Sequence, residues 1–550
     1  MRILYSIWRT RLMGVKGVLK NIRRQGVGKT IKLARERRRE RQEDERITKE
    51  VACIQRRTSL EMESRENEDE KAEMAILAAS CSDLYALNDI RPVTLTALRN
   101  YLGEMASLVA KRSNEDDFDE TFELFQVQLD GYYQLFDSFS FGKKPQEEEV
   151  LFFEQLTESE TGPYKTRLRE LFVKQRIPQA YRESSTAPLQ NKAVFVQPRK
   201  GLNQTFKYMY HYLKSHDGLE PELWQLRREA IPDSFYFRNA EAMAAQAGMA
   251  KVAFFHESND LFGHVQVRDD SKIVQLWHGC GVFKKIGLDT AGQPGYKSVK
   301  AYEEYPEYNY YSCVTIASPE LSWVFEQFMG ISKESGIIKP LGVSRTDEFF
   351  DQAYIDRCYE KLYERIPEAR DKKVILYAPT YRGLGRNRVA PDELDIPAMA
   401  ERLGDTHILL IKQHQTAKDC PPVPEPYDQS FAWDVTRGWG MDINELMTIA
   451  DVCVSDYSSL VFEYSIFERP MAFFVYDLDE YIDDRGLYYD FDEITPGPLC
   501  FTTNELIEYI EGIERNGFDP AEVAAFKERF MCSCDGHSTE RILEYIENGD

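Results

Sequence analysis

The sequence predicts a doubly wound α/β protein, with two Rossmann-like lobes facing a cleft and a helical region in front of them. Short apolar runs alternate with helical stretches, the pattern of parallel strands joined by crossover helices. These runs come in two series, broken near 345–372. At 550 residues the chain exceeds one ordinary domain, and 43% hydrophobic residues suffice for more than one core.

Taken in order, residues 2–24 (RILYSIWRTRLMGVKGVLKNIRR) place Leu4, Ile7, Trp8, Val15, Val18, Leu19 and Ile22 on one helical stripe. Arg9, Lys16, Lys20, Arg23 and Arg24 lie mostly off it, while Arg11 intrudes. This predicts a basic amphipathic helix over 1–30 that lies on an anionic membrane surface. A helix docked on its own protein, or an Arg-rich targeting peptide, fits the same pattern. Lys32–Glu73 predicts a long solvated helix or a charged tether. Residues 75–185 are helical in pattern and hold no constellation that carries chemistry, so 31–185 form a helical charged region.

The first lobe, 186–350, contains AVFVQ (193–197), KVAFF (251–255), KIVQLW (272–277), SCVTIAS (312–318) and GIIKPLG (336–342). A helical stretch at 351–369 opens the second lobe, 351–550. Its strands are KVILYAPT (373–380), HILLIK (407–412), DVCVSD (451–456) and MAFFVY (471–476).

The formal charge of −23 argues against a nucleic-acid binder. The acidity is uneven, because residues 1–41 hold fourteen Lys/Arg against two Glu. The ten cysteines include no CxxC pair, which excludes a zinc ribbon or a thioredoxin-type motif. Buried reduced thiols are expected instead, as in a cytoplasmic protein. No apolar run approaches the roughly 18–20 residues that cross a bilayer, and the N-terminus lacks a signal-peptide core. The expected location is therefore peripheral, on the cytoplasmic face of the cell membrane.

Ligands of open α/β sheets bind beyond the carboxyl ends of strands, and that rule selects four places. His278, in QLWHGCG, follows a strand directly and is a candidate general base; a turn-capping histidine is the plainer alternative. Gly279 and Gly281 beside it permit close backbone approach. His414, in IKQHQ, offers a donor to a phosphate or leaving group, unless it merely ends a strand in solvent. In SDYSSLVFEYS the strand ends at Asp456, and Ser458 and Ser459 open a helix suited to an anion, though both residue types are ordinary caps. Glu463 lies one turn on, within reach of ribose hydroxyls. Arg382, in APTYRG, suits a bidentate phosphate contact or a surface salt bridge.

The set WHG, LGVSRTDEF, LYAPTYR, KQHQ, VSDYSSLVFEYSIFERPMAFFVYD and DRGLYYDFDEITPGP resembles the CDP-glycerol glycerophosphotransferase family. These are the teichoic acid primases and polymerases, similar in fold to GT-B glycosyltransferases. The resemblance covers about 190–545, including the closing DGHSTERILEYI.

It implies that His278 takes a proton from an acceptor hydroxyl, which attacks the β-phosphorus of CDP-glycerol and expels CMP. His414 would steady the phosphate or leaving group. Arg382, Ser458 and Ser459 would hold the pyrophosphate, Asp456 would position that loop, and Glu463 would contact the ribose. Arg345 and Asp347 match a PRND-like element of structural or interdomain role. The acceptor would be a lipid-linked polymer, with no cofactor; Asp477–Asp479 is the one strand-end DxD and lacks family support, so no metal is expected.

Three departures loosen the donor to CDP-glycerol or CDP-ribitol: Gln415 where Pro is usual, Cys280–Gly281 where Thr-Pro is usual, and SRTD for PRND. A GT-B glycosyltransferase, or an inert member that binds glycan or membrane, is the competing expectation.

Overall fold

In the computed structural model, the described residues are 27–64, 70–87, 91–113, 115, 117–137, 162–226, 233–383, 388–414 and 417–549. The amphipathic helix predicted for 2–24, and Gln415, lie outside them. The chain divides into two units: Met1–Arg169 with Arg228–Phe235, and Glu170–Arg227 with Tyr236–Asp550.

The first unit is built of helices Val27–Glu63, Glu70–Ala86, Pro92–Lys111 and Phe118–Asp137. Apolar residues at helical spacing make its core: Leu77, Cys81 and Leu84; Leu98, Leu102 and Met105; Phe118, Phe122, Phe125 and Leu129. Tyr164 sets its ring edge-on to Phe118 and Phe122, at 6.0 and 6.3 Å. The long charged segment is thus a helix to Glu63, and a second helix begins at Glu70.

The second unit holds two six-stranded parallel sheets. The first contains β1 (Gln190–Gln197), β2 (Glu220–Gln225), β3 (Ala250–Phe255), β4 (Lys272–Gln275), β5 (Cys313–Thr315) and β6 (Ile338–Lys339), in the order 2-1-3-4-5-6. The other contains β7 (Lys373–Tyr377), β8 (His407–Ile411), β9 (Ala432–Asp434), β10 (Val452–Ser455), β11 (Met471–Phe474) and β12 (Leu499–Cys500), in the order 12-11-10-7-8-9. Val194–Val196, Leu409–Ile411 and Val452–Val454 are continuously buried, as strands covered on both faces must be.

Each order reverses once, between β1 and β3 in the first sheet and between β7 and β10 in the second. Crevices form at such switch points. The first lobe's core joins Phe195, Phe254 and Val274 to Phe206 and Met209 of helix Gln204–Ser215.

Ile542, Tyr545 and Ile546 complete that core. The terminal helix Ser538–Asn548 therefore packs into the first lobe, although it lies within the stretch expected for the second. Asp347 caps it from a distance, accepting hydrogen bonds from the Ser538 and Thr539 amides at 3.0 and 2.7 Å. The SRTD segment thus has a structural role, tying the two ends of the lobe pair together.

Candidate active site

β4 ends at Gln275, and the chain turns through Trp277 with φ at 44°, a left-handed conformation uncommon outside glycine. Packing enforces it. The indole lies 5.9 and 5.2 Å from the rings of Phe325 and Phe328. Its amide donates to Gln275 Oε1 at 3.0 Å, and the Gln275 amide donates to Glu257 O and Tyr311 Oη. Such backbone strain costs about 1–3 kcal/mol and persists only where the surroundings over-determine it. Here it delivers His278.

His278 Nδ1 lies 3.3 Å from the carbonyl oxygen of His256. A carbonyl only accepts, so the neutral ring carries its proton on Nδ1, which leaves the Nε2 lone pair open.

The following loop presses against the second lobe. A Cβ on Gly281 would sit 2.3 Å from the Phe462 ring, and one on Gly279 would sit 3.4 Å from Ser459 Oγ. The Cys280 amide donates to Glu463 Oε1 at 3.1 Å, and Arg345 pairs with the same oxygen. Glu463 is 1% exposed and its Oε2 has no hydrogen-bond partner. The structure thus places this residue, expected at the ribose, in a buried ion pair that fixes the loop after His278. Further along, the Tyr488 amide donates to Phe283 O at 2.8 Å, and Tyr488 Oη donates to Asp289 at 2.6 Å.

At the second switch point, Asp456 is 1% exposed and accepts hydrogen bonds from the Thr380 amide at 2.8 and 3.0 Å. It also accepts from Arg382 Nη1 at 2.9 Å. Arg382 Nε and Nη2 donate to Asp477 at 2.5 and 3.0 Å, and Nη1 donates to Thr380 O at 2.7 Å. Its guanidinium also lies 5.3–5.4 Å from the ring centroids of Tyr457, Tyr476 and Tyr481. Most donors of Arg382 are therefore engaged within the protein, and Asp456 braces the turn after β7.

Ser458 Oγ reaches the Leu460 amide at 3.4 Å, and Ser459 makes no capping bond. The helix they open, Leu460–Tyr464, is five residues long, so its dipole adds little. His414 lies edge-on to Tyr381 at 5.0 Å.

Both histidines are weak bases. Burial lowers His278 to about 4, aided by the positive charges of Arg345 and Arg199 and opposed by its bond to the His256 carbonyl. The residue as a whole remains exposed, so surrounding atoms reduce its basicity without sealing it off. Burial also lowers His414 to about 4, with Lys284, Arg388 and Arg199 adding to the shift. Both rings are therefore neutral near pH 7.

Arg199 acts on both, which brings His278 and His414 under one shared cation. It was absent from the sequence-derived set, yet it stands two residues beyond β1, where the strand-end rule would have found it. Among the described residues, no group of three or more His, Cys, Asp or Glu side chains is placed to hold a metal. Within the same residues, no helix is long and apolar enough to cross a membrane.

Two doubly wound parallel sheets, a loop after β4 packed against the second lobe, and a terminal helix that returns to the first lobe define a two-lobed GT-B-like protein. The chain belongs to the CDP-Glycerol:Poly(glycerophosphate) glycerophosphotransferase family, whose model matches residues 180–548. It is 32% identical over 360 residues to a teichoic acid poly(ribitol-phosphate) polymerase of Bacillus spizizenii, a match covering 65% of this chain and 56% of that one. The chain thus spans little more than half of that relative. It is 27% identical over 371 residues to a teichoic acid ribitol-phosphate primase of the same organism, covering 66% of this chain and 93% of the relative. A teichoic acid glycerol-phosphate primase of Bacillus subtilis is 29% identical over 283 residues, covering 51% and 69%. In fold, the chain is similar to the wall teichoic acid polymerase TagF, with a TM-score of 0.54 and 20% identity over 74% of this chain and 98% of that one.

Proposed function

We propose that the protein transfers a polyol phosphate from a CDP-activated donor to a hydroxyl of a membrane-linked acceptor, releasing CMP. The observation that carries this reading is His278: its Nδ1–H faces a carbonyl, its Nε2 is open, and it stands at a strand end beside Arg199. Nε2 takes the acceptor proton as the acceptor oxygen bonds to the β-phosphorus. The bond from that phosphorus to the bridging oxygen breaks, and CMP leaves with its electron pair. Arg199, Lys284 and Arg388, whose charges act on the histidines, form a positive environment suited to the pyrophosphate. His414 steadies the phosphate or the leaving group. Ser458 and Ser459 add hydroxyls near the His278 loop, and the Asp456–Arg382–Asp477 brace holds the floor.

The donor polyol has two readings. Family membership favours glycerol phosphate, whereas the polymerase and the primase of Bacillus spizizenii described above are named for ribitol phosphate. Incubation with a lipid-linked acceptor and each donor in turn, with CMP release as the readout, separates them. Turnover of either CDP-polyol supports the reading. Turnover of a sugar nucleotide alone would replace it with glycosyl transfer, and no turnover of any donor would favour an inert binding member. The membrane-surface placement rests on residues 2–24. Deleting residues 1–30 should abolish sedimentation with anionic vesicles, and salt should weaken the binding of the intact chain.

A further inference from the structure

Helix Gln204–Ser215 buries Phe206, Met209 and Leu213 in the first lobe's core. The opposite face needs no such residues to fold, yet it carries Tyr208, Tyr212 and His216, one turn apart. Tyr212 and His216 stack at 4.0 Å with 10° between their planes, and Tyr208 lies 6.5 Å from Tyr212. The stack is pre-set, because His216 Nδ1 donates to Tyr212 O at 2.8 Å. These rings form one wall of a cavity of about 590 Å³, a size suited to a small-molecule ligand. Neither His278 nor His414 lines it.

The facing wall comes from 344–350, helix Gln352–Arg365 and helix Ile443–Ile449, and presents Glu348, Tyr354 and Glu445. Tyr354 is 5% exposed, and its hydroxyl lies beside Glu348 without a hydrogen bond of standard geometry. Charge on the lining is balanced, with Lys207, Arg357 and Lys361 against Glu348, Asp351 and Glu445. Lys361 is already paired with Glu445, and Lys207 lies 3.5 Å from Asp442. A polyanion would find no surplus positive charge here. A sugar or polyol fits better: its hydroxyls both donate and accept, matching carboxylates, amines and tyrosine hydroxyls, while its C–H surface lies against the rings.

We propose that this cavity is a second ligand site, distinct from the histidine cleft, that binds a neutral polyhydroxylated molecule. The site does not depend on the phosphotransfer reading. Its lining comes from both lobes, so an occupant contacts both.

Saturation-transfer-difference NMR on the full chain tests it, using glucose, galactose, N-acetylglucosamine and ribitol as probes, with cytidine and inorganic phosphate as counter-probes. At least one neutral probe is expected to bind. Tyr212→Ala, at a half-buried position, should weaken it about 10-fold or more, while Tyr212→Phe and His278→Ala should keep wild-type binding. Circular dichroism checks that the Tyr212→Ala chain is folded. The proposal is overturned if no neutral probe binds, if Tyr212→Ala binds as wild type does, if His278→Ala loses the binding, or if cytidine or phosphate competes for the same signal.

Discussion

The strand ends of the two sheets use their polar residues in opposite ways. In the first lobe, strained Trp277 pushes His278 out to where its Nε2 is open, and Arg199 stands exposed beyond β1. In the second lobe, Arg382, Asp456 and Asp477 satisfy one another behind the crevice, in a cage of tyrosine rings. A charged residue at a strand end is available for chemistry only if the fold has not already committed it. The first lobe leaves these strand-end groups open, and the second commits most of its own to rigidity.

His278→Ala should cut CMP release by about 10²–10⁴-fold, the usual contribution of a general base, and leave the melting temperature nearly unchanged. Equal turnover would remove the base from this residue. Asp456→Ala should act in the opposite manner. It leaves the buried Thr380 amide without its acceptor and takes one of the two carboxylates that Arg382 engages, at a cost of about 1–3 kcal/mol, read as a fall in the denaturation midpoint. If it lost activity with full stability, Asp456 would be a ligand-contacting group instead of a brace.

Gly281→Ala tests the contact between lobes. Its new Cβ would fall 2.3 Å from the Phe462 ring, and overpacking of this kind costs about 1–3 kcal/mol. The smallest expected effect is in the pH profile. With His278 and His414 both near 4, kcat/KM should stay flat on the acid side down to about pH 5. It should fall as either imidazole takes a proton at lower pH. Arg199→Gln removes a positive charge that disfavours both imidazolium ions, so the acid limb should move to higher pH with little change in stability. An unmoved limb would place Arg199 outside the site's electrostatics.

Much of the fold was legible because buried parallel strands are continuous apolar runs. The nine runs picked out correspond to β1, β3–β8, β10 and β11. The three unmarked strands are β2, β9 and β12, all at sheet edges. EPELWQ, AWD and LC are polar or brief, as edge strands tend to be, so periodicity carries no signal there. The two histidines and the SDYSS loop were legible from the strand-end rule. Whether each residue there is free or engaged was not.

The sequence alone determined the strand and helix series and which residues lie at strand ends, because both follow from local periodicity. Tertiary structure decided the partners. Glu463 meets Arg345 across 118 residues, Asp347 caps a helix 191 residues away, and the terminal helix closes the first lobe's core. Only the folded chain brings Arg199 and the two histidines into one field, because electrostatic coupling depends on distance in space, and spacing along the chain does not report it.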